Sequence, residues 1–189
     1  MLAIEQGRQI TPEEPLRFME IGPAYGGCML NVVAVFGRDR ARVVGIEPNT
    51  GHFRNLMFSV ALNNFNDSVT LINAYIECTT CLKAGTCDRE KKIATVPTSH
   101  EVPREILYNV VPTGEVPTFS LDEIDRQLDL RPEVLLINPY FLLACKEGMI
   151  RVLQAAKYIV TGRCILTSGE IETILADDLM AKCYGYFVS

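Results

Sequence analysis

Features that would direct a chain to a membrane, a nucleic acid or a secretory route are missing from this sequence. The 189 residues contain no run of about 18 uncharged apolar residues of the kind that spans a membrane. The start, MLAIEQGRQITPEE, lacks the basic and apolar regions of a signal peptide. The net charge is −5 without any block of about five or six like charges. These absences predict a cytoplasmic protein that neither enters a membrane nor binds bulk nucleic acid.

A paired cysteine framework is also missing, because the chain has seven cysteines, an odd number spread over its length. Such a distribution is typical of reduced thiols in a cytosol rather than of a secreted, disulfide-bonded domain. Four of the cysteines fall in apolar segments, where they are predicted to be small buried hydrophobic residues: Cys28, Cys145, Cys164 and Cys183.

What the sequence does contain is a strand, a glycine turn and a helix near its start. The apolar run 16–21 suits a strand that is buried on both faces of a parallel sheet. Gly22, Gly26 and Gly27 follow in a tight turn, and glycines there let a ligand approach the backbone closely. The apolar segment 28–36 then predicts a helix that packs on the sheet.

A second strand, 41–46, ends on Glu47, and this acid is a candidate for binding a ribose. In dinucleotide-binding folds an acid roughly 20 residues after the glycines accepts the ribose hydroxyls. The glycine spacing here is not G-x-G-x-x-G, however, and Pro23 removes an amide that a pyrophosphate would use. The turn therefore looks less like a diphosphate cradle than like the turn that binds S-adenosylmethionine.

The remaining pattern indicates an α/β protein in which helices cover both faces of a mostly parallel sheet, a Rossmann-like three-layer sandwich. Its length suits a single domain, residues 1–189. A cysteine-rich irregular insertion is predicted at about 77–117, because this segment is polar, rich in proline and without helical period. The other predicted elements are helix 51–64, strand 68–76, helix 121–128, strand 133–137, helix 146–156, a strand or hairpin at 158–167, helix 169–182 and strand 184–188.

Several motifs resemble the FkbM-type methyltransferases, S-adenosylmethionine-dependent enzymes of Rossmann-like fold that mostly methylate oxygen. The segment MEIGPAYG at 19–26 resembles the Asp-x-Gly-Ala-Asn-x-Gly motif of that family, and IEPN at 46–49 resembles its Glu-Pro-Asn segment. The segments VTLINA at 69–74, FSLDEI at 119–124 and Gly185-Tyr186 resemble its third strand, its Thr-Leu-Asp-Glu segment and its closing Gly-Tyr.

The resemblance implies that S-adenosylmethionine is the cofactor and that a hydroxyl of a small molecule or glycan is the methyl acceptor. Asn73 and Ala74 would contact the adenine ring at the end of the third strand. The residues that match the two motifs would bind the rest of the cofactor: Glu20, Gly22, Ala24, Tyr25, Gly26, Glu47 and Pro48.

Asn138 and Tyr140, at the end of the predicted fourth strand, are the candidate catalytic residues. Their place beside the first strand would put them at the acceptor side of the cofactor crevice. The family has a Lys-Ile-Asp-x-Glu-Gly motif here, which this chain lacks. Asn138-Pro139-Tyr140 also resembles the Asn-Pro-Pro-Tyr motif of amino methyltransferases, in which the Asn orients a target amine. Nitrogen as the methyl acceptor is therefore an alternative to oxygen.

Two further interpretations remain open at this stage. A methyltransferase fold without catalytic activity could serve as a binding module, and a nicotinamide oxidoreductase is a third, weaker possibility because the glycine spacing disfavours it.

In the insertion, Cys78, Cys81, Cys87 and His100 have the residue types of a Cys3His zinc site. Only the first pair has a zinc-site spacing, so we favour free thiols and no metal.

Overall fold

A computed structural model describes residues 10–77, 116–138, 141–142, 145–162, 164–167 and 169–170. Almost all of the predicted insertion lies outside these residues, as do Tyr140, Cys183, most of the helix predicted at 169–182 and the strand predicted at 184–188.

A six-stranded sheet forms the centre of the described fold, in the order β3-β2-β1-β6-β7-β8. The first five strands in this order are parallel, and β8 is antiparallel to β7. The strands are β1 (Leu16–Ile21), β2 (Ala41–Ile46), β3 (Val69–Ile72), β6 (Val134–Leu136), β7 (Tyr158–Thr161) and β8 (Cys164–Leu166). The predicted α/β, mostly parallel fold is confirmed.

The α-helices that accompany the sheet include α1 (Gly27–Phe36), α2 (Thr50–Leu62), α3 (Leu121–Leu128) and α4 (Ile150–Ala155). Buried residues of α1 and α2 form one apolar cluster with one face of the sheet. Buried residues of α3 and α4 form a second cluster with the opposite face. Apolar residues at spacings of three and four bury one face of α2, and the Asn49 side chain caps its start by accepting a hydrogen bond from His52 N–H.

The predicted third strand, 68–76, is wrong in its extent, because β3 ends at Ile72. Two later residues form β4 (Tyr75–Ile76), which leaves the main sheet and pairs in parallel with β5 (Thr118–Phe119). The helix predicted at 146–156 is also divided, into a 3-10 turn (Lys146–Gly148) and α4. The sequence pattern missed the β4–β5 pairing because its partners lie more than 40 residues apart.

Two acids of α3 connect that helix to α4. The Asp122 carboxylate accepts hydrogen bonds from Arg151 N–H at 2.9 Å and Val152 N–H at 3.3 Å, at the start of α4. Burial raises the pKa of Asp122, and these two amides oppose the rise. Asp125 accepts from Arg151 Nε and from Arg131 N–H. The charged face of α3 is thus a connector between helices.

The predicted cysteine environments need correction at three positions. Cys28 is a free thiol, but it is exposed on the first turn of α1 rather than buried. Cys145 and Cys164 are buried as predicted, yet each is disulfide-bonded, so they are not the reduced thiols that the odd cysteine count suggested. Sequence counting failed because it cannot tell which cysteines the fold brings together.

Candidate cofactor-binding crevice

The candidate crevice lies where the chain changes direction across the sheet. From β1 the chain builds β2 and β3 on one side, and it later returns to place β6 on the other side of β1. Ligands of open α/β sheets bind outside the carboxyl ends of the strands at such a switch point. The turn after β1, residues 22–26, lies there, and Gly22 N–H donates to the Ile46 carbonyl at the end of β2.

Glu20 lies at the end of β1 and contacts the start of α1. The residue is 7% exposed, and Oε2 accepts a hydrogen bond from Met29 N–H at 2.9 Å. Burial raises the pKa of this carboxyl to about 7, although the Met29 hydrogen bond acts in the opposite direction. Glu20 therefore satisfies one of the free amides at the start of α1.

Glu47 follows β2 and connects two loops. The residue is 4% exposed, Oε2 accepts from Ala24 N–H at 2.9 Å, and Oε1 accepts from Asn49 N–H at 2.8 Å. The first amide belongs to the glycine turn and the second to the start of α2. Because a carboxylate has about four lone-pair sites, each oxygen keeps an acceptor site for a further donor such as a ribose hydroxyl.

The glycines of the turn serve two different purposes. Gly22 has φ +73, and a Cβ added there would meet no atom within 4 Å, so the backbone borders open space. Gly26 has φ +80, and a Cβ there would collide with Cδ1 of Leu56 on α2. Gly22 leaves room for a ligand, whereas Gly26 lets α1 approach α2 closely.

Ala24 and Tyr25 complete the turn. Ala24 adopts φ 50, an unusual value for a residue with a side chain, and its amide is held by Glu47. Tyr25 is 64% exposed, and its ring lies 5.0 Å from that of His52, at an interplanar angle of 52°. His52 Nδ1 is also 3.9 Å from Glu47 Oε1. Sequence reasoning missed His52, whose place in the first turn of α2 was the available signal.

The end of β3 contacts the loop after β2 through Asn73. The Asn73 side-chain amide donates to the carbonyls of Glu47 at 2.7 Å and Pro48 at 3.3 Å, and the residue is half-buried. Pro48 is half-buried as well. Ala74 is fully buried in the core cluster shared with α3 and α4, so it has no accessible surface of its own. The adenine contacts of Asn73 and Ala74 stay predictions.

Asn138 follows β6, the neighbour of β1 on the other side of the switch point, and it is exposed. Its carbonyl accepts Leu142 N–H at 2.9 Å. The proposed catalytic partner, Tyr140, lies outside the described residues. Asn138 is therefore at the predicted edge of the sheet, and its role in catalysis stays a prediction.

Within the described residues no group of three or more His, Cys, Asp or Glu side chains could hold a metal ion. The hypothetical zinc ligands Cys78, Cys81, Cys87 and His100 lie outside that part of the chain. A search for membrane-crossing helices over the same described residues finds none that is sufficiently long and apolar.

The strand order and the crevice define the class of fold, a Rossmann-like α/β sandwich. No family model and no curated protein matches the chain. Among solved structures, the chain is similar to one described as methyltransferase FkbM from Methylobacillus flagellatus KT, with 13% sequence identity and a TM-score of 0.49. The similarity covers 79% of this chain and 33% of that chain, so this chain spans about a third of the length of the structure it matches.

Proposed function

We propose that this chain is an S-adenosylmethionine-dependent methyltransferase domain that methylates a hydroxyl of a small molecule or glycan. The observation that carries the proposal is Glu47, a buried carboxylate after β2 that contacts the glycine turn at the switch point of the sheet. An acid in this position accepts ribose hydroxyls in nucleotide-binding α/β folds. The open space at Gly22 fits the same ligand.

The described residues would bind and orient the cofactor. Glu47 would accept the ribose hydroxyls, Gly22 would leave room for the amino-acid tail, and the exposed Tyr25 ring would cover one side of the crevice. When bound, S-adenosylmethionine supplies an electrophilic methyl group on a sulfonium, which is a good leaving group because it departs as the neutral thioether of S-adenosylhomocysteine. Rate enhancement would then rest mainly on proximity and orientation, without an obligatory strong base.

Asn138 is proposed to orient the methyl acceptor. It is exposed next to β1, and its side chain offers acceptor and donor atoms to a neutral nucleophile. The same chemistry would suit an amine, so N-methylation is the alternative reaction of this site. Methyl transfer by this site would require neither the insertion nor a metal ion.

A catalytically silent binding module is the second candidate function, and one observation favours it. Both oxygens of Glu47 accept hydrogen bonds from the chain's own amides, Ala24 N–H and Asn49 N–H. If a ligand never uses this carboxylate, its role is to hold the two loops together. The fold alone does not decide between an enzyme and a module.

Equilibrium dialysis with radiolabelled S-adenosylmethionine, repeated with NAD, separates these functions. We expect saturable binding of S-adenosylmethionine that S-adenosylhomocysteine competes away and NAD does not. Binding of neither compound would support the silent module, and binding of NAD alone would indicate an oxidoreductase.

A further inference from the structure

A second cleft lies at the opposite end of the sheet, at the amino ends of β1, β2 and β3. Its volume is about 240 Å³. We call it the amino-end groove, and its walls are the sheet face that carries Met19 and Val44, the loop before β3 and the segment after α3. It is separate from the crevice, because in parallel strands the amino and carboxyl ends lie on opposite edges of the sheet.

Two arginines stand side by side in the amino-end groove. Arg17 of β1 is the direct register partner of Arg42 of β2, so their Cα atoms lie about 4.8 Å apart. Alternation along each strand puts them on the same face as Met19 and Val44, which belong to the core cluster of α3 and α4. Both arginines are exposed and line the groove.

Neither of these arginines forms an ion pair with an acid of the described residues. Arg42 Nη1 donates to the carbonyls of Arg38 and Ala41, both at 3.0 Å, which are neutral acceptors. Among the described residues, the Arg17 guanidinium has neither a hydrogen bond nor an ion pair. Two acids also line the groove: Asp129, which pairs with Arg131 at 2.7 Å, and Asp67 of the loop before β3. The groove therefore presents two adjacent guanidinium groups, with these two acids at its rim, in a chain whose net charge is −5.

The remaining lining combines hydroxyl groups with apolar surface. Thr70 of β3 is half-buried and sits in register beside Val44, on the same face as the arginines. Val44, which lies beside the fully buried Met19, forms an apolar floor, and Leu130 with Pro132 forms an apolar wall. A ligand that matches this lining has a compact, doubly charged anionic head and a small apolar body.

We propose that the amino-end groove binds a phosphate monoester with a small apolar substituent, in a site independent of the crevice. Paired guanidinium groups suit a phosphate because each can donate two parallel hydrogen bonds to its oxygens. The doubly charged phosphate matches two arginines, and the apolar floor and wall accommodate the ester group. This inference does not depend on the proposed methyltransferase activity.

Calorimetric titration of the full chain with phenyl phosphate tests the proposal, with inorganic phosphate and phenol as comparison ligands. We expect saturable binding of phenyl phosphate, weaker binding of inorganic phosphate and no measurable binding of phenol. Arg17→Gln and Arg42→Gln should each weaken binding about tenfold, because each removes charge-assisted hydrogen bonds. Arg54→Gln, on the exposed side of α2, should leave the affinity unchanged.

Amide chemical shifts give a second measurement that uses only the wild-type protein and so does not depend on the stability of a variant. Phenyl phosphate should shift the amides of Arg17, Arg42, Thr70 and Leu130 and leave those of Gly22 and Ala24 in place. Absence of saturable binding, equal affinity for phenol, or equal affinity of Arg17→Gln, Arg42→Gln and Arg54→Gln would overturn the proposal.

Discussion

Glu20 at the end of β1 and Glu47 after β2 are both buried beside the same glycine turn, but the chain surrounds them differently. Glu20 accepts one amide, from a residue nine positions later in its own strand-turn-helix unit. Glu47 accepts two amides, from the glycine turn and from the start of α2. The first acid stabilises one helix start, whereas the second couples two loops, and only the second is placed so that a ligand contacting it would act on both.

The negative charge of buried Glu20 lowers the free energy of unfolding. Burial raises its pKa from 4.5 to about 7, so the folded protein holds this proton more tightly than the unfolded chain does. The corresponding stability is fully present below pH 4.5 and is lost as the pH rises through about 7. The loss is on the order of 3 kcal/mol, the largest effect we predict.

Glu20→Gln tests this cost, because glutamine keeps an acceptor for Met29 N–H and does not titrate. In urea unfolding at a series of pH values, we expect the free energy of unfolding of wild type to fall relative to that of Glu20→Gln between pH 4.5 and 8. Asp39→Asn, at an exposed carboxylate, controls for the loss of one charge. A wild-type minus Glu20→Gln difference that stays constant over this range would contradict the assignment.

The turn between the two acids depends on Gly26 more than on its neighbour Gly27. Gly26→Ala puts a side chain at φ +80 and against Leu56, so thermal unfolding should show a loss of about 2 kcal/mol. Gly27→Ala is the matched control, since its Cβ would meet nothing within 4 Å and alanine favours the helix. Equal stability of the two variants would show that α1 and α2 can separate at no cost.

Asn138, which follows β6 at the crevice, should differ from both acids, because it is proposed to contact the methyl acceptor rather than the cofactor. We expect Asn138→Ala to lower methyl-transfer turnover about tenfold and to leave S-adenosylmethionine affinity nearly intact, since it removes an interaction made in the transition state. Turnover and affinity are measured on the same preparation, with a melting curve as the control for folding. Lower thermal stability with unchanged turnover per folded molecule would instead make Asn138 a loop cap.

The first half of the fold was predictable because its signals are local. The strands β1 and β2, the next two helices, whose starts lie one residue before the predicted ones, and the positions of Glu20 and Glu47 all follow from short apolar runs and the residues that interrupt them. What could not be predicted depends on contacts between distant residues. The β4–β5 pair, the disulfide bonds of Cys145 and Cys164 and the juxtaposition of Arg17 with Arg42 all belong to this group.

The positions of Glu20 and Glu47 could be predicted from the sequence, but their contacts could not. Its pattern placed both at strand ends, which the structure confirms, and the resemblance assigned both to the cofactor. The Met29 hydrogen bond of Glu20 and the two loop contacts of Glu47 emerge only in three dimensions, because they depend on how the turn closes against α1 and α2. The structure thus separates two acids that the motif treats alike.

Calorimetric titration with S-adenosylhomocysteine, on wild type and on Glu47→Ala, tests the central claim most directly. We expect binding to wild type and a weakening of about 1.5 to 3 kcal/mol in Glu47→Ala, the range for hydrogen bonds to a charged group. Glu123→Ala, a change to a partly exposed acid of α3, should bind like wild type. No binding to folded wild-type protein, or equal affinity of Glu47→Ala and wild type, would contradict the claim that this crevice holds the cofactor through Glu47.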